Sequence, residues 1–487
     1  MKYDVIRSYW PAPIYSDGST LNGPEVYGSS RASTFLKDLD SGTDSLDVLV
    51  IGDSNAGQNE WGYTAGMDNA LGTGLSITSY ATPLLAGGRT WGTPNNYDPS
   101  PAYERMAGVG VYHYSDRDDV AGGTGSNVNQ RLMLNCPTDT NGNDALKYNL
   151  GMNVTNATVT LSTLMPQQNR YIWNPTVVAS AGIFCSASGT TNALRIRTTS
   201  PLVSAARSAR YRVVHGTYAS GSGQFKALIS NAYTTAYATS SFVSTYTGTV
   251  GYQTANLPYT TSSTPTELWC TWDGGYSAST NSRLVTGPFA CLWHSFSVSV
   301  KGYSVTNLTT SDGRSTTQLA NIVEGIDKVL DSALTELRVR QGLAGGSGRL
   351  LVFCNSGVNG GESGSSYTTA IARIRDRVSA RWIASGGTAD QLAFVFSVTA
   401  QINPSYTGSG SGWIASRPGV SSTANTYAVT NAGDGNGVCV VDTSVNAGYA
   451  YLTSNSYYND NTTDQIHLKD SGYNAVSLVI ANALLNA

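Results

Sequence analysis

The sequence predicts an α/β fold in which a parallel sheet, covered on both faces by helices, is interrupted by a long insertion of antiparallel β-structure. Three observations carry this reading. An apolar run, Leu46 to Ile51, ends in the glycine turn Gly52-Asp53-Ser54-Asn55. From Phe296 onward, short apolar runs alternate with stretches of helical spacing, the pattern of parallel strands joined by covering helices. Between about residues 76 and 295 the helical signal vanishes, and short runs rich in Val, Ile, Tyr, Thr and Phe are separated by Gly, Ser and Asn.

In chain order, residues 1–44 contain Pro11, Pro13 and scattered glycines with little periodicity, and read as an irregular arm packed on the body or used for docking. The core opens over 45–75 with a strand at 46–51, the glycine turn and a helix around 59–71. The insertion, 76–295, reads as one antiparallel sandwich or jelly roll, with strands such as Ala193 to Arg197, Tyr211 to His215, Phe225 to Ile229 and Glu267 to Trp272. The remainder of the core, 296–487, resumes with a strand from Phe296 to Val300. Leu319, Ile322, Val323, Ile326, Leu330, Leu334 and Leu337 then recur at helical spacing. A strand at 350–354 follows, then a helix through Ile371, Ile374, Val378 and Trp382, strands at 392–397 and 437–441, and a closing helix with Tyr473, Val476 and Ile480. In such a sheet, functional groups sit in loops at the carboxyl ends of the strands. Gly408 to Gly412 and Gly433 to Gly437 lack phosphate-binding spacing and read as rim loops.

At 487 residues the chain has room for two or three domains. A formal net charge of −3 offers no electrostatic surface for nucleic acid or anionic lipid. No apolar stretch approaches the length of a membrane span, and Met1-Lys2-Tyr3-Asp4-Val5 lacks the apolar region of a signal peptide. The polar, tyrosine-rich, lysine-poor composition nevertheless resembles that of proteins acting outside cells, such as phage tail and virion-surface proteins. Assembly into a virion in a host cytosol reconciles the two observations, and a homo-oligomer stays open. Six cysteines without CxxC spacing argue against a zinc site, and no cofactor motif stands out. Cys270 and Cys291 leave open a bridge between neighbouring strands. Asp139 to Asp144 alternates oxygen donors as a calcium loop does, but lacks the glutamate at the twelfth position; an ordinary Asx-rich turn is the alternative.

The turn at Ser54 gains meaning from Asp464-Gln465-Ile466-His467 near the far end of the chain. A serine after a buried strand, followed much later by an aspartate and a histidine, is a nucleophile constellation. Of the other histidines, His113 lies between Tyr112 and Tyr114, and His294 follows Trp293 on an apolar run, settings that suit packing; His215 is the fourth. The Gly-Asp-Ser and Asp-x-x-His pair resembles the first and last blocks of the SGNH (GDSL-type) hydrolase superfamily. Asn307-Leu308-Thr309-Thr310-Ser311-Asp312-Gly313-Arg314-Ser315 resembles that family's second block. The strand from Leu350 into Gly357-Val358-Asn359 resembles the third, although Gly360 stands where the family usually has Asp.

The resemblance covers roughly half the chain, and its four blocks occur in the family's order. It implies a three-layer αβα fold with a flavodoxin-like parallel sheet, and ester hydrolysis without a cofactor or metal. In that reading Ser54 is the nucleophile, His467 its general base, and Asp464, on the same short loop, orients the imidazole. The backbone N–H groups of Ser54 and Gly313 and the side-chain amide of Asn359 receive the developing oxyanion, with Asn355 as the alternative to Asn359. Trp173, Trp269, Trp272 and Trp293 and many tyrosines in the insertion suit stacking on sugar rings, although they serve equally to fill a sandwich core. The expected substrate is therefore an O-acylated polysaccharide, losing acetyl or other short acyl groups. The rival reading is a glycan-binding adhesin or virion structural protein that keeps the SGNH shape without catalysis.

Overall fold

A computed structural model describes residues 25–57, 62–81, 111–114, 131–134, 183–185, 194–199, 205–217, 224–231, 235–244, 247, 251–262, 267–273, 289–308, 315–325, 327–359, 361–398, 402–408, 411–432, 437–443, 449–460 and 464–487. Its main sheet is built from β1 (Glu25–Gly28), β2 (Leu46–Gly52), β3 (Tyr303–Asn307), β4 (Arg349–Ser356), β5 (Leu392–Val398) and β6 (Val438–Asp442). Across the sheet they stand in the order β1-β6-β5-β4-β2-β3. β1 runs antiparallel to β6 at the edge, and every other pairing is parallel. Taken in chain order, the five parallel strands therefore read second, first, third, fourth, fifth across the sheet. This is the flavodoxin-like arrangement, with its switch point between β2 and β4.

Helices cover both faces. α1 (Arg31–Asp40), α2 (Tyr63–Asn69) and α7 (Asp470–Asn486) lie on one side; α3 (Thr316–Gly325), α4 (Asp327–Leu343), α5 (Gly364–Ala384) and α6 (Gly412–Asn431) lie on the other. The pleat sends Leu46, Val48 and Val50 of β2 into the first layer and Leu49 and Ile51 into the second. Because both faces are packed, β2 reads as an almost continuous apolar run rather than an alternating one.

The exception in β2 is Asp47, 1% exposed. It accepts hydrogen bonds from Arg340 Nη2 at 2.7 Å, the Tyr80 hydroxyl at 2.7 Å and Gln341 Nε2 at 3.2 Å. Arg340 Nη2 also donates to Ser304 Oγ at 2.6 Å and Thr306 Oγ1 at 3.0 Å. Burial pushes the Asp47 carboxyl up, and Arg340, Tyr80 and Gln341 oppose that shift. One polar cluster thus joins β2, β3, α4 and the chain at Tyr80.

Between β2 and β3 the described strands form two larger antiparallel sheets and one isolated pair, Val111–Tyr114 with Arg131–Leu134. One sheet contains Leu194–Thr199, Gln224–Asn231, Thr235–Thr239, Val243–Ser244 and Glu267–Asp273; the other contains Ile183–Cys185, Ser208–Thr217, Gly251–Thr260 and Phe289–Val298. They meet where the His215 and Phe225 rings pack edge-on, 4.9 Å between centroids. Alternate residues Ala209, Tyr211, Val213 and His215 are buried, while Val214, on the opposite side of its strand, joins the core of the α/β layers. On that side Arg212 grips the buried Glu336 of α4 with both ends of its fork, Nε at 2.7 Å and Nη2 at 2.8 Å, and Thr254 Oγ1 adds a third bond at 3.1 Å. The Tyr80 N–H donates to the Tyr303 carbonyl at 3.0 Å, and the Val298 N–H to the Tyr80 carbonyl at 2.8 Å. The chain therefore leaves the main sheet beside the point where it returns.

Several expectations change. Within the stretch read as an irregular arm, Glu25–Gly28 is an edge strand and Arg31–Asp40 a helix whose Ala32, Phe35, Leu36 and Leu39 face the core; its residues 1–24 lie outside the described residues. Phe296 to Val298 belong to an antiparallel sheet, so the main sheet resumes at Tyr303. The amphipathic stretch after Gly313 forms two helices, α3 and α4. Cys270 is a free buried thiol on one antiparallel sheet and Cys291 lies on the other, so they do not bridge. Asp139 to Asp144 and Trp173 lie outside the described residues. No helix among the described residues is long and apolar enough to cross a membrane.

Candidate active site

The site forms where the carboxyl ends of β2 and β4 meet, at the switch point where ligands enter open α/β sheets. Gly52 and Asn355 are register partners there. A Cβ on Gly52 would collide with the Ala56 side chain and the Asn355 carbonyl oxygen, so only glycine lets the chain turn this tightly. Asp53 follows, and Ser54 opens the single helical turn Ser54–Gly57.

Asp53 is 0% exposed and holds the turn together. Its Oδ1 accepts the Asn55 backbone N–H at 2.9 Å, and its carbonyl accepts the Ala56 N–H at 3.0 Å. Its Oδ2 accepts from Asn359 Nδ2 at 2.8 Å. Asn55 is locked in turn by the Tyr473 hydroxyl of α7, which donates to Asn55 Oδ1 at 2.7 Å. Burial pushes the Asp53 carboxyl up to about 6, opposed by the Asn55 N–H, the charge of His467 and the Asn359 amide. His467 is therefore within electrostatic reach of the Ser54 turn.

Asn359 arrives there because β4 is followed by Gly357 at φ +122°, a conformation that favours glycine. A Cβ at Gly357 would also come within 2.8 Å of the Trp413 ring. Asn355, the alternative donor, lies within the end of β4, fully buried, with its amide nitrogen 3.3 Å from the Ser397 carbonyl. One of its N–H groups is thus directed to the neighbouring strand. Just beyond Asn359, Glu362 caps α3: its carboxylate accepts the backbone N–H groups of Thr316 and Thr317 at 2.9 and 3.0 Å and the Thr317 hydroxyl at 2.7 Å. The Asn359 turn and the start of α3 are thereby tied together.

His467 lies on β8 (Asp464–Leu468), paired with β7 (Tyr458–Asp460), rather than on a short loop as expected. In a regular strand, residues three apart face opposite sides. Here β7 advances two residues, from 458 to 460, while β8 advances four, from 464 to 468, between their paired positions. A bulge of this kind re-aims side chains. Leu468 is buried and His467 half-buried. The side chains of Ser54 and Asp464 lie outside what the structure describes, as does all of Gly313. His215 is buried against Phe225 within the antiparallel sheets, away from these elements.

Sequence reasoning passed over Asp53, Glu362 and Tyr473. Asp53 was visible as the middle residue of Gly-Asp-Ser, but nothing in a linear pattern says that its carboxylate reaches across to β4. Glu362 carries no local signal, and Tyr473 reads only as one residue of the closing helix's apolar stripe.

No protein-family model matches the sequence, and no curated protein matches it. Among solved structures the chain is similar to a peptidoglycan O-acetylesterase, at 12% identity over 95% of this chain and 98% of that one, with a TM-score of 0.44. It is also similar to a carbohydrate esterase family 2 enzyme with its carbohydrate binding domain from Corynascus thermopiles (Myceliophthora fergusii), at 11% identity over 64% of this chain and 96% of that one, TM-score 0.23. A third is an acetyl xylan esterase from the rumen bacterium Butyrivibrio proteoclasticus, at 9% identity over 60% of this chain and 89% of that one, TM-score 0.22.

Proposed function

We propose that this protein is a serine esterase of SGNH type, removing acetyl or other short acyl groups from a polysaccharide. The observation that carries the reading is the Asn359 amide donating at 2.8 Å to Asp53, one residue before Ser54, at the sheet's switch point and with His467 in electrostatic reach. Ser54 Oγ would attack the acyl carbonyl carbon as His467 removes its proton, with Asp464 orienting the imidazole. The new C–O bond displaces the carbonyl π electrons onto oxygen, which the Ser54 and Gly313 N–H groups and the Asn359 amide receive. Collapse expels the sugar hydroxyl, protonated by His467, and water then attacks the acyl-enzyme by the same route in reverse. The aromatic, short-chain polar composition of the segment between β2 and β3 supports a glycan substrate, and the polar, lysine-poor composition of the chain supports action outside the cell, on a virion or free.

A fluorophosphonate probe tests the nucleophile directly. Adduct mass should map to Ser54 and disappear in His467→Ala; labelling that persists in Ser54→Ala at the parent's level removes this site from consideration. The oxyanion assignment has its own expected result. Asn359→Ala should lower kcat for p-nitrophenyl acetate by about 10² to 10³ with little change in KM, because the donor acts as charge develops. The same loss in Asn355→Ala, with Asn359→Ala near the parent, would move the donor one turn back.

A further inference from the structure

We propose that Asp53 is a positioning residue: its carboxylate determines which end of the Asn359 amide faces the substrate. The inference rests on the esterase reading above and adds a residue to it. A side-chain amide has two chemically opposite ends of nearly equal shape, and only the NH₂ end can serve a developing oxyanion. Among the described residues, no backbone group of the turn between Gly357 and Gly361 bonds either end. Asp53 bonds one of them. An ionised carboxylate only accepts hydrogen bonds, so it admits Nδ2 and rejects Oδ1; the contact is 2.8 Å. One N–H of Asn359 is thereby committed to Asp53, and the other remains for the substrate.

The carboxylate is itself immobilised. Its second oxygen holds the Asn55 backbone N–H at 2.9 Å, and Asn55 is held by Tyr473 at 2.7 Å. Asp53 is fully buried, so water does not compete for the Asn359 bond. His467 opposes the effect of burial on Asp53, and among the described residues Tyr63, Tyr367 and Cys354 feel its charge. With its carboxyl at about 6, Asp53 is mostly ionised at neutral pH, as the role requires.

The isosteric change Asp53→Asn reverses the instruction. Its Oδ1 can keep the Asn55 N–H, which leaves an NH₂ group facing the NH₂ of Asn359. The conflict is relieved when Asn359 turns over and presents its carbonyl oxygen to the substrate. Turnover of p-nitrophenyl acetate should then fall about 10² to 10³-fold in kcat, with KM within about twofold of the parent, matching Asn359→Ala.

A double-mutant cycle separates positioning from general support of the turn. If Asp53 acts through Asn359, the double variant Asp53→Asn with Asn359→Ala should be no slower than Asn359→Ala alone. Losses that multiply, or an Asp53→Asn protein near parental activity, would overturn the proposal. Should Asp53→Asn fail to fold, the exchanged pair Asp53→Asn with Asn359→Asp keeps the contact with its polarity inverted. That protein should fold and remain inactive, and parental turnover from it would also overturn the role. A parent no faster than its own Ser54→Ala variant instead overturns the esterase reading, and this role with it.

Discussion

Replacing Ser54 with alanine should lower kcat for p-nitrophenyl acetate by a factor on the order of 10⁴ to 10⁶, the scale on which removing the nucleophile of such a constellation acts. The size follows from what remains. Without Oγ no acyl-enzyme forms, and the site can only hold the ester near its oxyanion donors while water attacks. Ser54 opens a single helical turn whose Asp53 and Asn55 bonds do not use its hydroxyl, so the thermal midpoint should stay close to the parent's. A Ser54→Ala protein with the parent's rate and the parent's midpoint would leave the adhesin reading standing.

The second large effect is on stability. Asp47→Ala should cost about 3–5 kcal/mol, the usual penalty for breaking a buried ion pair by removing one member. Arg340 and Asp47 side chains are 0% and 1% exposed, so the stranded guanidinium has no water to turn to. The Tyr80 hydroxyl loses its acceptor at the same time, and the Gln341 amide is left with the Arg349 carbonyl alone. Urea denaturation measures the loss as a shift in midpoint at constant slope. Asp47→Ala combined with Arg340→Met should recover much of it, because both charges then leave the interior together. A single variant within about 1 kcal/mol of the parent would mean that the cluster relaxes to admit solvent.

Much of the α/β body could be read from the chain because burial on both faces writes itself into composition. β2, β4, β5 and β6 are almost continuous apolar runs, and α5 and α7 carry apolar stripes at helical spacing. α6 escaped because its buried face consists of Trp413, Arg417, Val420, Ser421, Ala424 and Ala428, helical in spacing but weak in hydropathy, with Pro418 inside it. Arg417 is stabilised there by Asp442 at the end of β6, a partner that no local window contains. β1 and α1 were hidden by short length and by flanking glycine, serine and proline. At the site, Ser54, Asn359 and His467 were visible as motif residues. The Asp53 to Asn359 bond was not, since it joins residues brought together only by the adjacency of β2 and β4. The bulge that places His467 was invisible for a different reason, because pairing register is a property of two strands and not of one.

The pairing of Leu46 with Tyr303 bears on how the chain reaches its native state. β2 is synthesised well before its neighbours β3 and β4, which come from the far side of the antiparallel strands, so this inner strand of the sheet has no local partner. Such a topology has high contact order and folds slowly. The equilibrium penalty of so long a loop is small, since each doubling costs only about 0.6 kcal/mol; the burden is kinetic. For that interval an apolar strand is exposed on the nascent chain, a target for chaperones or for self-association. Because Tyr80 is hydrogen-bonded to both Val298 and Tyr303, antiparallel pairing that forms first would draw β3 to the edge of β2 and shorten the search. The strands between β2 and β3 would then act as a folding clasp, and lesions in them would slow assembly of the sheet that carries the site.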